Sequence, residues 1–505
     1  MPWVNTMRLA CAALLLASAP IQALAQTGAG HGDRWAITGV TVIPLDTDQV
    51  LADQTVLLRD GRIERIAPAA RLRVPKDFTR IDGRGKYLLP GFVDAHAHLS
   101  NAGALRASSD ANLAALPLGE GDDYDRLVLL GYLRAGVTGV ANLGGSAASD
   151  EHLLALRDAI AAGRVAGPRL YVAKRINGPR AAVATKPEQP VPPSRIDAPT
   201  TAADGIAAVR QAKTRGYDLI KPYQFLNRET YRAVVEESHR QGFVTSGHLP
   251  ELGCADCADR AFAFAHPMDN IAHSEELARY GRQTDFAPAD IDALADLVSR
   301  RGIAVTPTLI TLKTIVQMYV QRTVPPLPPE WDARVDPVTR HDWQAPRNRY
   351  LSEAFRQQDG AAQFSAGYDF ARMLTRELWK RGVPLTVGTD SALPGLAFGH
   401  GVQQEMIELR EIGLSPLDVL RAASLNAHRL LDPQAGSGAV REGQAANLVL
   451  LDADPLADIQ HIDEVAGIFA QGRWLSSARM EDEYARLAPL RTRLQEHLDG
   501  PADAH

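Results

Sequence analysis

The sequence predicts an α/β fold: a (β/α)8 TIM barrel that carries a small β-sandwich domain built from both chain ends. Over residues 90–435, short apolar segments alternate with amphipathic stretches, which is typical of parallel βαβ units. Segments rich in β-branched residues lie on either side, over residues 26–89 and 436–478. The chain has 505 residues, which is too many for one small core, so at least two structural units are expected.

Eight apolar segments are predicted to be the barrel strands. They are Phe92–Asp94, Val137–Val140, Arg169–Val172, Leu219–Lys221, Val244–Ser246, Asn270–Ala272, Ile303–Thr306 and Pro384–Val387. Helix signals separate them: Asn227 is a good N-cap, and Gly242 is expected to end the helix that follows. Eight parallel strands can close into a barrel, and such barrels carry their active site at the carboxyl ends of the strands.

The β-sandwich is predicted from alternating β-branched patterns at both ends of the chain. Its strands are expected over residues 36–43, 55–58, 62–66, 446–452 and 465–469. Asp60-Gly61 is a strong signal for a hairpin turn. The chain is expected to pass from the sandwich into the barrel at Leu88–Gly91. Residues 479–505 are predicted to form a charged helix and tail, which either packs on the chain or contacts another copy in a homo-oligomer.

The first 25 residues are predicted to be an export signal. Arg8 precedes the apolar run Leu9–Ala17, and Ala23-Leu24-Ala25 fits a cleavage site that would leave Gln26 as the new N-terminus. The run is too short to span a bilayer, so no stable membrane anchor is expected, with an uncleaved helix as the alternative. The mature chain is therefore expected to be periplasmic or secreted.

Composition and charge indicate which kinds of molecule the protein is not expected to bind. The chain is 45% hydrophobic and 23% charged, with a formal net charge of -6, as in ordinary soluble globular proteins. It lacks a basic stripe, so nucleic acid is not an expected partner. Cys254 and Cys257 would survive signal cleavage. Their C-x-x-C spacing allows a local disulfide, a redox pair or half a metal site, but a four-cysteine zinc site is excluded.

Six side chains that can bind metal or carry charge end or follow the predicted barrel strands. They are His96, His98, Lys221, His248, His273 and Asp390. In a strand, the i, i+2 spacing of His96 and His98 puts both imidazoles on the same side. Each residue alone has an ordinary explanation, such as a core histidine. Because all six fall at one mouth of the barrel, they predict a metal centre there.

The chemistry of each residue type suits such a centre. Neutral imidazoles are good ligands for zinc. A lysine cation cannot bind a metal, but the neutral amine of Lys221 can react with carbon dioxide to give a carbamate, an anion whose two oxygens can bridge two metals. Two metals can bind one bridging water and lower its pKa. Asp390 can bind one metal, accept the proton of that water as general base, and deliver it to a leaving group.

The run Leu88–Leu99 (LLPGFVDAHAHL), together with IKPY, SGHL, IAHS and GTDS, resembles the metal-dependent amidohydrolase superfamily. More narrowly, it resembles the imidazolonepropionase-like branch, which includes Xaa-Pro dipeptidases and related carboxypeptidase-type dipeptidases. The segment from Gln404 to Ala427 is similar to that branch as well. The resemblance covers nearly everything after the signal peptide.

The resemblance implies a role for each residue of the centre. The metal ligands would be His96, His98 and Asp390 for the more buried ion, His248 and His273 for the second ion, and Lys221, as N6-carboxylysine, between the two. The cofactors are then two divalent metal ions, with zinc expected, and carbon dioxide bound as the carbamate. Tyr223 would polarise the substrate carbonyl or bind its carboxylate, with a packing tyrosine as the alternative. His400 would contact the substrate.

Two features depart from the pattern of this branch. Many relatives carry Asp near the end of the second strand, where this chain has Asn142. Two stretches exceed a minimal barrel: Ile176–Thr200, predicted to be a loop rich in Pro and Gly, and Thr311–Gln363, between strands seven and eight. The second is expected to be a long loop that acts as a lid or pocket wall, or else a surface or oligomer contact.

The sequence therefore predicts a secreted binuclear hydrolase that acts on a small molecule and cleaves a C–N amide bond. A dipeptide or an N-acyl amino acid is the first expectation for the substrate. A cyclic amide or lactone hydrolase with the same site is the alternative, since attack on the carbonyl is the same. A non-catalytic periplasmic binding protein is a third hypothesis, which missing ligands would favour, but all six residues are present.

Overall fold

The computed structural model describes residues 34–179, 198–249, 256–277, 288–352, 360–433 and 438–500. The predicted signal peptide, Cys254 and most of the predicted loop Ile176–Thr200 lie outside the described residues. Cys257, in the described part, is disulfide-bonded.

The described residues form two sheets with helices around them. The strands are β1 (Arg34–Val42), β2 (Leu51–Arg59), β3 (Arg62–Pro68), β4 (Thr79–Asp82), β5 (Tyr87–Pro90), β6 (Phe92–Ala97), β7 (Val137–Asn142), β8 (Arg169–Ile176), β9 (Leu219–Pro222), β10 (Val244–Gly247), β11 (Asn270–Ala272), β12 (Ala304–Thr306), β13 (Leu448–Leu451), β14 (Val465–Ala470) and β15 (Arg473–Ser476). The α-helices are α1 (Ala102–Arg106), α2 (Ala111–Ala114), α3 (Asp123–Arg134), α4 (Ala147–Ala161), α5 (Ala202–Arg215), α6 (Arg228–Arg240), α7 (Arg260–Ala265), α8 (Pro288–Arg301), α9 (Leu309–Gln321), α10 (Pro329–Asp332), α11 (Pro337–Asp342), α12 (Gly360–Lys380), α13 (His400–Glu411), α14 (Pro416–Arg421), α15 (Ala427–Leu431) and α16 (Ser477–Asp499). Short 3-10 helices cover Ala69–Arg71, Ser274–Leu277, Arg349–Leu351 and Ile459–Asp463, and a π-helical turn covers Ala422–Asn426.

Strands from both chain ends form one sheet, in the order β15-β14-β13-β5-β1-β2-β3, with β4 also paired to β1. β13 pairs antiparallel with β5, so Leu450 lies opposite Leu88. The rings of Trp35 (β1) and Phe469 (β14) are 6.0 Å apart, which shows that the sheet folds over a shared core. This confirms that strands from both chain ends build a separate sheet, which is continuous.

Local turn chemistry fixes two hairpins of this sheet. Asp60 and Gly61 have φ values of 49° and 73°, and Gln471 and Gly472 have φ values of 51° and 75°. Two successive positive φ angles define a type I′ turn, whose twist matches that of the strands it joins. The stretch Leu88–Gly91, predicted as the junction, begins within β5, so the chain enters the barrel only at Gly91.

Strands β6 to β12 form a parallel sheet in sequence order. The eighth predicted strand, 384–387, is not a regular strand, but it closes the ring. The amide of Ala95 in β6 donates to the Val387 carbonyl (2.8 Å), and the amide of Thr386 donates to the Val305 carbonyl in β12 (3.0 Å). The predicted barrel is therefore confirmed, with an irregular closing segment in place of its last strand.

The described residues between β12 and the closing segment are largely helical, whereas the sequence predicts a long loop there. In α9, Leu312, Ile315 and Tyr319 are buried at helical spacing, a period that the proline-rich run 325–329 obscures in the sequence. The buried carboxylate of Asp336 accepts the Thr339 amide (3.0 Å) and so caps α11. This region packs on the barrel as an ordered wall.

The predicted C-terminal helix is α16, and it packs on the chain itself, against α3 and α11. Its buried residues are Met480, Tyr484, Leu487, Leu490, Leu494 and Leu498. Among the described residues, no helix combines the length and the apolar character needed to cross a membrane.

Candidate metal centre

The structure brings three of the six predicted ligands together at the start of the ring. His96 lies near the end of β6, His98 directly follows that strand, and Asp390 follows the closing segment. The Asp390 Oδ1 atom lies 3.3 Å from His96 Nε2 and 3.2 Å from His98 Nε2. Two ligand atoms held about 2.1 Å from one tetrahedral zinc ion lie about 3.4 Å apart. These three side chains therefore have the spacing to hold one ion.

A second group shares His96 with the first. Potential ligand atoms of His96, His248 and His273 all lie within 4.8 Å of one another. The His273 ring centroid is 4.6 Å from that of His96 and 4.7 Å from that of His248. Two ion positions can thus lie on either side of His96.

Lys221 lies next to the histidine that the two groups share. Its side chain is buried, and its Nζ atom is 3.3 Å from His96 Nε2. Burial lowers the pKa of Lys221 to about 7, because the low-polarity surroundings disfavour the ammonium ion. The amine is placed where one ligand could reach both ion positions.

Hydrogen bonds fix the tautomers of two histidines. The Nδ1–H of His98 donates to the Gly144 carbonyl (2.9 Å), so its Nε2 atom is left as an acceptor. Thr308 donates its hydroxyl proton to the Pro307 carbonyl (2.8 Å), so its oxygen accepts from His273 Nδ1–H (2.7 Å). Again the Nε2 atom is left with a free lone pair, as a metal ligand requires.

The donor set fits divalent metal ions. His98 Nε2 and Asp390 Oδ1 are both acceptors, so at 3.2 Å they repel each other unless a cation lies between them. Burial lowers the pKa of His273 to about 3 and holds that of His96 well below its ordinary value, which keeps both rings neutral. Burial opposes the charge of Asp390, but its contacts with His96 and His98 hold its carboxyl pKa well below the ordinary value. Neutral imidazoles with a carboxylate are the ligands that zinc prefers.

Asp94, which is not among the six predicted ligands, links β6 to the loop that carries Asp390. The buried Asp94 carboxylate accepts the Thr389 amide (3.1 Å), the Thr389 hydroxyl (2.7 Å) and the His96 amide (3.2 Å). Burial raises the pKa of Asp94 to about 7. A carboxylate inside an apolar strand is the signal that could have revealed this role. Thr308 offers no comparable signal in the sequence.

Two further polar residues surround the centre. The Glu276 Oε1 atom lies 3.2 Å from His248 Nδ1, and this carboxylate is buried. Asn142, at the departure from the branch pattern, accepts the Leu99 amide with its side-chain oxygen (2.9 Å) and so holds the chain just after His98. Both contacts restrict the positions of predicted ligands.

The two predicted substrate contacts lie in different surroundings. The Tyr223 ring is 4.5 Å from that of His248, and Lys221 Nζ is 5.0 Å from the Tyr223 centroid, so Tyr223 borders the centre. His400 is buried and stacks on Trp331 at 5.1 Å. This contact is one of packing, and the role of His400 towards substrate stays a prediction.

Comparison with known proteins gives three kinds of match. Residues 369–475 match the Amidohydrolase family. Imidazolonepropionase from Micrococcus luteus is 35% identical over 124 residues, 25% of this chain and 27% of that protein. Ochratoxinase from Aspergillus niger is 36% identical over 86 residues, 17% of either chain. The crystal structure of a Xaa-Pro dipeptidase with bound methionine in the active site has a TM-score of 0.63 at 18% identity, and the match covers 88% of this chain and 100% of that one.

The sequence matches cover a small part of each chain, whereas the structural match covers most of it. The chain spans about a quarter or less of the length of these curated relatives, and the structural likeness shows the fold. Fold and site together define a barrel protein with a candidate metal centre at the carboxyl ends of its strands. The family and sequence matches add that residues 369–475 are similar to the Amidohydrolase family and that part of the chain is similar to imidazolonepropionase and ochratoxinase.

Proposed function

We propose that the protein is a binuclear metal-dependent amidohydrolase that hydrolyses the C–N amide bond of a dipeptide or an N-acyl amino acid. The observation that supports this proposal is that four histidines, one buried lysine and one carboxylate lie close together, with the histidines and the carboxylate in two groups of potential ligands that share His96. Similarity of residues 369–475 to the Amidohydrolase family, and of part of the chain to imidazolonepropionase, supports hydrolysis of an amide bond in general.

In the proposed reaction, the metal ions and the side chains of this protein have different roles. Bound divalent ions would polarise the scissile carbonyl and lower the pKa of the attacking water. Asp390 would accept a proton at its carboxylate and pass it to the leaving nitrogen, a role for which its low pKa keeps it ionised beforehand. Tyr223, beside His248, would orient the substrate carbonyl.

We also propose that Lys221 is N6-carboxylated. The amine nitrogen would attack carbon dioxide, form one N–C bond and lose one proton, which leaves an anionic carbamate. Burial of the side chain and its place beside His96 support this, because an ammonium ion there would repel the metals. Labelling with ¹³C-bicarbonate should give a carbamate signal in the metal-loaded protein that is lost in Lys221→Gln. An unmodified Lys221 in metal-loaded protein would remove the carbamate from the proposal.

A substrate panel tests the reaction. Zinc-loaded protein in bicarbonate buffer would be assayed on dipeptides, N-acyl amino acids, cyclic amides and lactones, with metal content measured in the same samples. We expect turnover of dipeptides or N-acyl amino acids and two ions per chain. Rapid lactone opening without amide turnover would favour the alternative reaction, and protein that binds no transition metal would contradict the proposal.

Export is part of the proposal as well. It rests on Arg8, the apolar run Leu9–Ala17 and the Ala23-Leu24-Ala25 site in the sequence. Expression in a bacterium followed by fractionation should recover the chain in the periplasm or the medium, with Gln26 as its first residue. A cytoplasmic chain that keeps residues 1–25 would argue against export.

A further inference from the structure

Helix α9 begins directly after Thr308, whose hydroxyl orients the predicted ligand His273, and its N-terminus is capped in an unusual way. A threonine at the N-cap normally has extended backbone angles, and its side-chain oxygen accepts an amide of the first turn. Thr308 instead has a φ of 53° and a ψ of 43°, and within the described part of the chain its side chain makes no capping hydrogen bond. Its hydroxyl is used elsewhere, because it donates to the Pro307 carbonyl and accepts from His273.

The first two amides of α9 are bound by a side chain from another helix. Glu405, on α13, accepts the Leu309 amide at Oε1 (3.0 Å) and the Ile310 amide at Oε2 (2.7 Å). Its side chain is fully buried. A carboxylate in this place is also favoured by the helix dipole, which is positive at the N-terminus. Glu405 therefore fills the place that the Thr308 hydroxyl would take in a helix that caps itself.

The backbone of Thr308 shows what would happen without this carboxylate. A positive φ is unfavourable for a β-branched residue such as threonine. With the first amides of α9 held by Glu405, Thr308 can keep this backbone and direct its hydroxyl to His273. Without Glu405, the Leu309 and Ile310 amides would lose their partner. Thr308 would then gain by relaxing to the extended N-cap conformation, in which its oxygen accepts the Ile310 amide and moves away from His273.

We propose that Glu405 is a positioning residue of the metal centre: by capping α9 from another helix, it leaves the Thr308 hydroxyl free to fix the tautomer of His273. The structure places Glu405 outside both groups of potential ligands, so its effect on His273 passes through the backbone of α9 and through Thr308. The inference rests on the proposed function for the nature of the centre. It goes beyond that function by giving a role to a buried carboxylate that is not a predicted ligand.

Glu408, three residues later on α13, provides a matched control. Its carboxylate is buried as well, and it also binds α9, through an ion pair with Lys313. It accepts the Tyr368 hydroxyl in addition (2.5 Å). Lys313 lies in the second turn of α9, so Glu408 joins the same two helices at a point away from Thr308. Loss of Glu408 therefore tests the packing of α13 on α9, and loss of Glu405 tests the cap.

A double-mutant cycle on zinc affinity tests the inference. Metal-free protein would be titrated with chelator-buffered zinc in Glu405→Met, Thr308→Val, the double variant and the control Glu408→Met. Burial raises the pKa of Glu405 to about 8, so the titrations are run at pH 9, where the side chain is a carboxylate. We expect each of the first two variants to weaken zinc binding about 10-fold or more, as for a lost partner of a metal ligand. The double variant should bind no more weakly than the weaker single variant, because both changes remove the same contact to His273.

Three results of the cycle would overturn the inference. Unchanged zinc affinity in Glu405→Met would separate this residue from the centre, and additive losses in the double variant would mean that Glu405 and Thr308 act independently. Equal losses in Glu405→Met and Glu408→Met would make Glu405 a packing residue. Glu405→Gln keeps the size of the side chain and one acceptor, so its zinc affinity should lie between those of wild type and Glu405→Met. It replaces the methionine variant in the cycle if that variant does not fold.

Nuclear magnetic resonance separates this inference from the proposed function. In metal-free protein labelled with ¹⁵N-histidine, the Nδ1–H signal of His273 would be identified by its loss in His273→Gln. It should persist in Glu408→Met and be lost or shifted in Glu405→Met, since the Thr308 oxygen no longer accepts that proton. If no amide bond is hydrolysed or no zinc binds, the proposed function fails, yet this signal still reports whether Glu405 controls the contact. An unchanged His273 signal in Glu405→Met would overturn the inference.

Discussion

Thr308 offers a sharp test of how the fold prepares the centre, because it touches a predicted ligand without being one. Its oxygen accepts a hydrogen bond from His273 Nδ1–H (2.7 Å), which leaves His273 Nε2 free for a metal. Thr308→Val keeps the branched shape at a position with φ 53°, where both residues carry the same backbone strain. The substitution therefore removes the hydroxyl and little else.

The magnitude follows from what the substitution leaves unpaired. The Pro307 carbonyl keeps a partner, since the Ser274 amide also donates to it (3.2 Å). The lost contact is thus that of His273, which is only 5% exposed. An unpaired buried donor costs about 1–3 kcal/mol of folding free energy. Loss of a partner that orients a metal ligand weakens metal affinity about 10- to 100-fold, or about 1.4–2.8 kcal/mol.

The assay titrates metal-free protein with zinc against a chromophoric chelator, and follows denaturant unfolding without metal. We expect Thr308→Val to weaken one of the two binding steps, because His273 belongs to the second group of ligands and not to the group of His98 and Asp390. Thr308→Ser is the control, since it keeps the hydroxyl and should bind like wild type. Wild-type affinity in Thr308→Val, or equal weakening in Thr308→Ser, would refute the reasoning.

Three other predictions concern the reaction, a charge and a close contact. Asp390→Asn should lower kcat by about 10²- to 10⁴-fold with two ions retained, and substantial turnover would remove Asp390 as general base. The hydrogen bond from His152 Nε2 to Asp125 (2.9 Å) raises the pKa of His152 in the folded protein. The protonated imidazole therefore stabilises the fold fully at pH values below the ordinary histidine pKa, and this stabilisation is lost as the pH rises through the raised pKa of the folded state. His152→Gln should therefore cost about 1 kcal/mol of unfolding free energy at pH 5.5 and almost none at pH 9, and a pH-independent cost would contradict this. Gly388→Ala should lower the free energy of unfolding in denaturant by about 1–3 kcal/mol, since its new Cβ would lie 2.8 Å from the Cβ of His96. The control is Gly367→Ala, inside α12, where the new Cβ would have nothing within 4 Å and should stabilise the fold slightly. Equal effects of the two substitutions would refute the steric argument.

Local pattern was sufficient for most of the fold. The barrel strands β6 to β12 begin within one residue of their predicted positions, because short apolar runs between helix signals have few alternative structures. The hairpin at Asp60-Gly61 is equally local, since only residues that tolerate positive φ can form it. The helical region 309–342 was harder to predict, because prolines that flank its short helices resemble those of a loop.

For the candidate site as well, some features could be predicted from the sequence and others could not. The residues that could serve as ligands are recognisable from the chain alone, since imidazole, amine and carboxylate groups at strand ends have few other uses together. The folded chain is needed to show that Asp390 Oδ1 lies 3.2 Å from His98 Nε2 and that Thr308 sets the tautomer of His273. These relations join residues that are distant in the chain, and local preferences carry no information about such distances. The physical reason is that ligand identity is a property of single side chains, whereas tautomer and charge depend on what surrounds them.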